Sequence, residues 1–267
     1  MTDTNKDLAE SNVTESPWSE WRSVTPARLA LGRAGAGMPT DEVLRFGWAH
    51  AMARDAIQAA LDVPKLEAAL HAQGWTVAHT HSRAPDRTTY LRRPDLGRVI
   101  DPDEIAKLRT APIVRSDVCI VIGDGLSSLA VDRHAAPLLA ALKPLLANEL
   151  KQTPVIIATQ ARVALADEIA ELLQAKLSIM LIGERPGLSS PDSLGIYITH
   201  APFRGRNDAG RNCISNVRPE GLSYAAAALK LAWLVREALT RKLTGVDLKD
   251  ESDLALLRSK ATGQITG

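Results

Sequence analysis

The stretch Ser178-Ile-Met-Leu-Ile-Gly-Glu-Arg-Pro-Gly-Leu-Ser-Ser-Pro-Asp-Ser-Leu194 decides how this chain is read. An apolar run stops at Gly183, the charged pair Glu184 and Arg185 follows at once, and Pro186, Gly187 and Pro191 stiffen what comes after. A strand ending in glycine, a charge and a φ-restricted loop is the carboxyl edge of an open α/β sheet, where such folds bind ligands. The loop holds too little apolar content for core and too many fixed-φ residues for a flexible linker. Arg185 reads as a structural pair that holds the loop.

The same rhythm extends outward. Val118 to Ile122 is a continuous apolar run, as expected of a strand buried on both faces, and the loop Gly123-Asp-Gly-Leu-Ser-Ser128 follows it. A helix is expected from about Ala135 to Leu150, a strand over Pro154 to Ala158, and a helix from about Ala164 to Ala175. Strands alternating with helices through short links predict a parallel sheet with right-handed crossovers, to which Leu194 to Thr199 adds a fourth strand. Leu222 to Leu243 reads as a long amphipathic helix stopped at Gly245, before a charged tail from about Asp247.

Upstream, Thr40 is a good N-cap, and Asp41 and Glu42 complement the dipole of a helix with an apolar face running to about Leu61. A second helix spans Pro64 to Gln73. Trp75 to Arg98 looks extended, because Thr76, Val77, Thr80 and Thr88 to Leu91 favour strands. Arg83, Arg87, Arg92, Arg93 and Arg98 form a basic patch suited to an acidic partner or a phosphate, and spacing alone slightly favours a solvated hairpin face. Asp101 to Leu108 forms a short helix. Met1 to Pro17 is a polar lead-in bordered by Trp18 and Trp21, which read as a docking anchor. The expected fold class is α/β, a Rossmann-like parallel sheet flanked by helices with a mainly helical N-terminal part. The expected divisions are a disordered or docking segment over 1–22, a helical domain over 23–112 and a Rossmann-like domain over 113–267.

Composition narrows the function classes. The 267 residues are 45% hydrophobic and 24% charged, with a net charge of +1 that creates no field for nucleic acid or an anionic membrane. No apolar run reaches the roughly 20 residues that cross a bilayer. The polar, acidic N-terminus lacks secretory features, and two cysteines make no disulfide framework, so a cytoplasmic compartment is expected.

Several motifs argue against common chemistries. Gly32-x-x-Gly35-x-Gly37 is followed by Met38 and Pro39, where a Walker loop needs Lys and Ser or Thr. Gly123-x-Gly125 lacks the third glycine of a dinucleotide fingerprint, and Asp124 carries the wrong charge for a pyrophosphate. The histidines form no metal-binding pair, and no Gly-x-Ser-x-Gly elbow exists. Asp132-Arg-His134-Ala-Ala-Pro137 approaches the Asp-x-His-x-x-Gly pattern that ligates cobalamin cobalt, but Pro137 replaces the glycine. His134 reads as a surface residue at a helix start. Cys119 reads as core. Cys213, in a stretch neither clearly helix nor strand, reads as a contact residue and not a nucleophile.

Six blocks, in order, resemble the small subunit of ethanolamine ammonia-lyase over about residues 24–242. They are Ala27-Arg-Leu-Ala-Leu-Gly-Arg-Ala-Gly35, Leu44-Arg-Phe46 with Ala49-His50 and Arg54-Asp55, Tyr90-Leu-Arg-Arg-Pro-Asp-Leu-Gly-Arg98, Asp124-Gly-Leu-Ser127, Gly183-Glu-Arg-Pro-Gly-Leu188 and Cys213-Ile-Ser-Asn216. The resemblance implies an adenosylcobalamin-dependent radical lyase that converts ethanolamine to acetaldehyde and ammonia. It implies a separate large subunit that holds substrate, with this chain forming part of the cobalamin site as a non-catalytic partner. In that family the cofactor keeps its own lower base on cobalt, in keeping with the broken Asp-x-His pattern. Val163, Glu184 and Cys213 match the family's cobalamin contacts, and Asp124 and Ser127 are added from their place on the same rim. No catalytic or metal-ligating residue is expected in this chain. The lead-in lacks a clear amphipathic helix of the kind that targets some relatives to a bacterial microcompartment, which is the second compartment the family uses. Two other readings are a stand-alone Rossmann-type nucleotide-dependent enzyme and a scaffold without cofactor contact.

Overall fold

A computed structural model describes residues 12–111 and 114–254. The first eleven residues of the lead-in, and the end of the charged tail from residue 255, lie outside the described residues. The described residues divide into two compact units, one running up to Arg54 and including Gly187–Ser190, the other comprising Asp55–Pro186 and the chain from Pro191.

In the first unit, a 3-10 turn over Ser19–Ser23 carries Trp18 and Trp21 on the surface, and α1 (Thr40–Gln58) begins. Glu42 is buried and takes hydrogen bonds from Arg22 (2.5 Å) and Arg45 (2.8 Å). Gly32, at φ +74°, sits where an added Cβ would come within 2.8 Å of the Thr14 carbonyl oxygen. The glycine-rich stretch thus serves a close backbone crossing. The expected apolar face of α1 is not core in its first turns: Val43, Leu44, Phe46 and Trp48 all face solvent.

The second unit is α/β, built on one mixed six-stranded sheet. Its strands are β1 (Val77–His81), β2 (Val118–Gly123), β3 (Val155–Thr159), β4 (Leu177–Gly183), β5 (Leu194–His200) and β6 (Asn212–Val217), in the order β1-β3-β2-β4-β5-β6. The four strands from β1 to β4 are mutually parallel, whereas β5 runs antiparallel to β4 and β6 antiparallel to β5. Every residue of β2 and β4 is buried, as their unbroken apolar runs require. One core contains Ile120, Ile122, Leu181 and Ile196 with Leu138 and Leu139 of α5 (Ser128–Leu142) and Leu231 and Val235 of α7 (Tyr224–Arg241). A second contains Val121, Met180 and Ile182 with Leu165 and Ile169 of α6 (Leu165–Leu172). Each such side chain contributes about 1.5–3 kcal/mol on full burial.

The structure corrects several expectations. The sheet is mixed and not wholly parallel, because the ten-residue link from Gly183 to Leu194 holds no helix to carry the chain back across the sheet. β1 belongs to the same sheet as the later strands, so a boundary at residue 112 would cut the sheet, and the compact units divide at Arg54. Thr88 to Leu91 is helix α3 (Arg87–Arg92), because Asp86 accepts a hydrogen bond from Thr89 N at 2.8 Å and caps it. Two further helices, α2 (Val63–Ala72) and α4 (Pro102–Thr110), stand close to where they were expected. α5 starts seven residues before the expected Ala135, capped by Ser127 and continuing through Pro137.

The turn after β2 meets the end of β4 backbone to backbone. Leu126 N donates to Gly183 O at 2.9 Å. A Cβ on Gly125, at φ +57°, would lie 2.2 Å from Gly183 O, and one on Gly183 would lie 2.0 Å from Ser127 O. Both positions are closed to any side chain. Gly183→Ala is therefore expected to cost at least the roughly 1–3 kcal/mol typical of overpacking. Thermal melting of the purified chain checks this; an unchanged midpoint would contradict the packing argument.

Candidate functional site

The loops after β2, β3 and β4 leave the sheet at one edge, and Asp124 ties the first two together. Its Oδ2 accepts from Gln160 N and its Oδ1 from Ala161 N, both at 2.9 Å. Gln160 is held at φ +52°, a conformation costly for a non-glycine residue, so these bonds fix the backbone that leads to Val163 at the entrance of α6. Asp124 is only 3% exposed. Burial pushes its pKa up, while the two N–H groups and Arg87 oppose that shift. Arg87 Nη1 lies 3.6 Å from Asp124 and donates to Gly125 O at 2.8 Å. The guanidinium groups of Arg87 (4.9 Å) and Arg162 (4.2 Å) lie over the Tyr90 ring, whose hydroxyl donates to Ala161 O.

Ser127 is likewise turned inward. Its Oγ donates to Pro191 O at 2.8 Å and accepts from Ala130 N at the start of α5. Asp124 and Ser127, expected as cofactor contacts, thus spend their polar atoms inside the protein. The expected basic face is also reshaped, since Arg87 packs inward and Arg93 pairs with Asp95.

Glu184 sits differently. It is half-buried at the end of β4, and its carboxylate is gripped from β5 and β6. Ser193 Oγ donates to Oε2, Ser215 Oγ donates to Oε1 at 2.5 Å, and Asn216 N donates to Oε2 at 3.2 Å. The β5–β6 register shifts between Leu194 and Ile196, so Ser215 and Asn216 together oppose Gly195. The Glu184 side chain lies over Gly195, where a Cβ would come within 3.0 Å of Oε1. Along β6, Ile214 and Val217 are buried while Cys213 and Ser215 are exposed on the other face. Cys213 pairs with Tyr197 across the ladder. Burial pushes the Cys213 thiol pKa up, with Tyr197 opposing the shift, which disfavours a reactive thiolate. The buried thiol of Cys119 is pushed up to about 12. Arg185 is exposed and makes no ion pair among the described residues, so it does not hold the loop as expected.

Glu184, just beyond β4, and Cys213 on β6 therefore stand on the β4–β5–β6 side of the sheet, whereas Val163 follows β3, two strands across from β4 on the same carboxyl edge. Ser193, Gly195, Ser215 and Tyr197 are not marked as partners by local sequence, because they meet Glu184 and Cys213 only once β6 is a strand. The alternation of Cys213, Ile214 and Ser215 was the available signal. Among the described residues no cluster of His, Cys, Asp and Glu could hold a metal. His134 is not a surface residue: it is 3% exposed, in the second turn of α5, with Nδ1 2.8 Å from the Tyr224 hydroxyl and Nε2 3.5 Å from Asp192.

A family described as ethanolamine ammonia-lyase light chain (EutC) matches residues 15–249. The ethanolamine ammonia-lyase small subunit of Azotobacter vinelandii is 52% identical over 257 residues, covering 95% of each chain. That of Ralstonia nicotianae is 51% identical over 263 residues, covering 97% of each. That of Pseudomonas aeruginosa is 51% identical over 261 residues, covering 96% of this chain and 95% of its own.

The His134 environment gives a pH test. Burial holds its pKa below the ordinary 6.5, although Asp192 pulls the other way. The folded form then binds the proton less readily than the unfolded form. The stability involved is present above the ordinary value and is lost as pH falls through the lower folded-state value. Asp192, held low by Arg133 and His134 against its burial, acts in the same direction at more acid pH. The melting temperature should fall between pH 7 and pH 5, and His134→Gln should flatten that fall. An equally steep fall in the variant would remove His134 from the explanation.

Proposed function

This chain belongs to the ethanolamine ammonia-lyase light-chain family, and from that premise we propose that it forms one wall of an adenosylcobalamin site completed by a large catalytic subunit. It is a component of a lyase, and the reaction in question is the conversion of ethanolamine to acetaldehyde and ammonia. The observation that carries the proposal is Glu184, fixed beside an exposed face of β6 and half open to solvent. The edges of a corrin carry amide side chains that donate hydrogen bonds. Glu184 Oε1 takes a hydrogen bond from one described donor, Ser215, and a carboxylate oxygen can accept two. Cys213 offers a soft, neutral surface beside it, and Val163 an apolar one at the start of α6. The residues thus suit an uncharged, amide-rimmed macrocycle, and no group among them is set up as an acid, base or nucleophile.

When bound, the cofactor supplies the radical chemistry. The residues of this chain bind it, orient it and keep water from one side. The four parallel strands, with α5, α6 and α7 packed on the sheet, support a Rossmann-like reading of the second unit. Gly125 packs against Gly183 with no space for a phosphate, which weighs against the nucleotide-enzyme reading.

The large subunit is proposed to cover the first unit's exposed apolar residues. Trp48 is 71% exposed and Leu44 65%, alongside Phe46 on α1 and Trp18 at the 3-10 turn. Large side chains left on the surface in such numbers mark interaction sites. No helix among the described residues is long and apolar enough to cross a membrane. A cytoplasmic location, in the open or within a microcompartment, is part of the same proposal.

Two measurements test these assignments. In the two-subunit complex, Glu184→Ala should weaken cobalamin binding by about 1–3 kcal/mol, the cost of a broken buried hydrogen bond, as read by equilibrium titration. Unchanged affinity would favour the scaffold reading. Leu44→Glu with Trp48→Glu should lower recovery of the large subunit when the two chains are co-purified through a tag on this one. Undiminished recovery would move the interface elsewhere.

A further inference from the structure

Glu184 is unusual in how many separate features converge on it. Ser193, just before β5, donates to Oε2. Ser215 donates to Oε1 and Asn216 N to Oε2, both from the irregular part of β6. Asn216 adopts φ +61°, the left-handed conformation that lets an extra residue fit in a strand. Opposite these two residues stands Gly195, where an added Cβ would press on the Glu184 side chain at 3.0–3.3 Å. The backbone of Glu184 is tied in as well, its N–H donating to Ser193 O at 2.9 Å.

A glutamate side chain has three rotatable bonds and loses about 1–2 kcal/mol of freedom when fixed. A carboxylate needed only for stability at a strand end would not require an irregular ladder, a glycine hole and two hydroxyls. The arrangement matches what a ligand-facing acceptor needs, since a group held in place before binding is not ordered at the expense of affinity.

We propose that Ser193, Gly195 and Ser215 are positioning residues that hold the Glu184 carboxylate in the orientation that accepts an amide N–H from the corrin edge. The inference rests on the cobalamin reading of Glu184. Ser215, on the exposed face with Cys213, fixes Oε1, the oxygen with the fewer donors among the described residues. Ser193 and Asn216 N together anchor the other oxygen. The cradle thus holds Oε2 with two donors and leaves acceptor capacity on Oε1.

The test uses the two-subunit complex and cyanocobalamin as the probe, with binding followed by absorbance and folding followed by thermal melting. Ser215→Ala, Ser193→Ala and Gly195→Ala should each weaken binding by about 3- to 30-fold, in line with one hydrogen bond lost or misaligned. Ser215→Thr, which keeps the hydroxyl, should restore affinity. The decisive comparison is the double variant: once Glu184→Ala is present, Ser215→Ala should weaken binding no further. Equal losses from Ser215→Ala with and without Glu184 would overturn the positioning role. Normal affinity in all three single variants, with Glu184→Ala still weak, would overturn this inference alone. Normal affinity in Glu184→Ala would overturn the reading it rests on.

Discussion

The second unit depends on one close contact, where the backbone of the turn after β2 rests on the backbone at the end of β4. Gly125 and Gly183 permit it, and a Cβ at either would meet carbonyl oxygen at about 2 Å. The contact brings the two central strands to the same level at their carboxyl ends. Ser127 continues it by reaching the Pro191 carbonyl, and Asp124 extends it to the loop after β3. Glu184 is the first residue beyond the contact, so its place is set before any of its own side-chain bonds form. Asp124 and Ser127, the two rim residues added as ligand contacts from the sequence, make the internal bonds that build the rim.

Much of this was legible in the sequence, for a simple reason. A strand buried on both faces must be apolar throughout, so β2, β3 and β4 announce themselves, and the helices between them follow. Direction and partnership were less legible. Nothing local in Leu194 to Thr199 distinguishes an antiparallel strand from a parallel one. β6 alternates, but over too few residues to stand out. Thr88 to Leu91 has strand propensity, yet Asp86 caps a helix there and Tyr90 goes into the core, so tertiary packing overrides local preference. His134 was misplaced because the helix begins earlier than expected, which turns the residue inward.

The site shows the same division. Glu184 could be picked out because a charge directly after a buried strand has few structural excuses. Its partners could not, because Ser193, Gly195 and Ser215 meet it only through the β4–β5–β6 pairing and the ladder irregularity. Their role depends on three-dimensional register, not on residue type. The family resemblance reached Val163, Glu184 and Cys213, and the structure supplies a physical setting for each: a helix entrance, a gripped carboxylate and an exposed neutral thiol.

The central claim is that this chain holds cobalamin through Glu184 and does none of the chemistry on it. A structure of the two-subunit complex with cobalamin bound tests that most directly. The expected result is a corrin edge against the exposed face of β6, with an amide nitrogen within hydrogen-bond distance of Glu184 Oε1 and the Cys213 thiol uncoordinated beside it. A corrin seated away from β4, β5 and β6, or a side chain of this chain bonded to cobalt, would contradict the account.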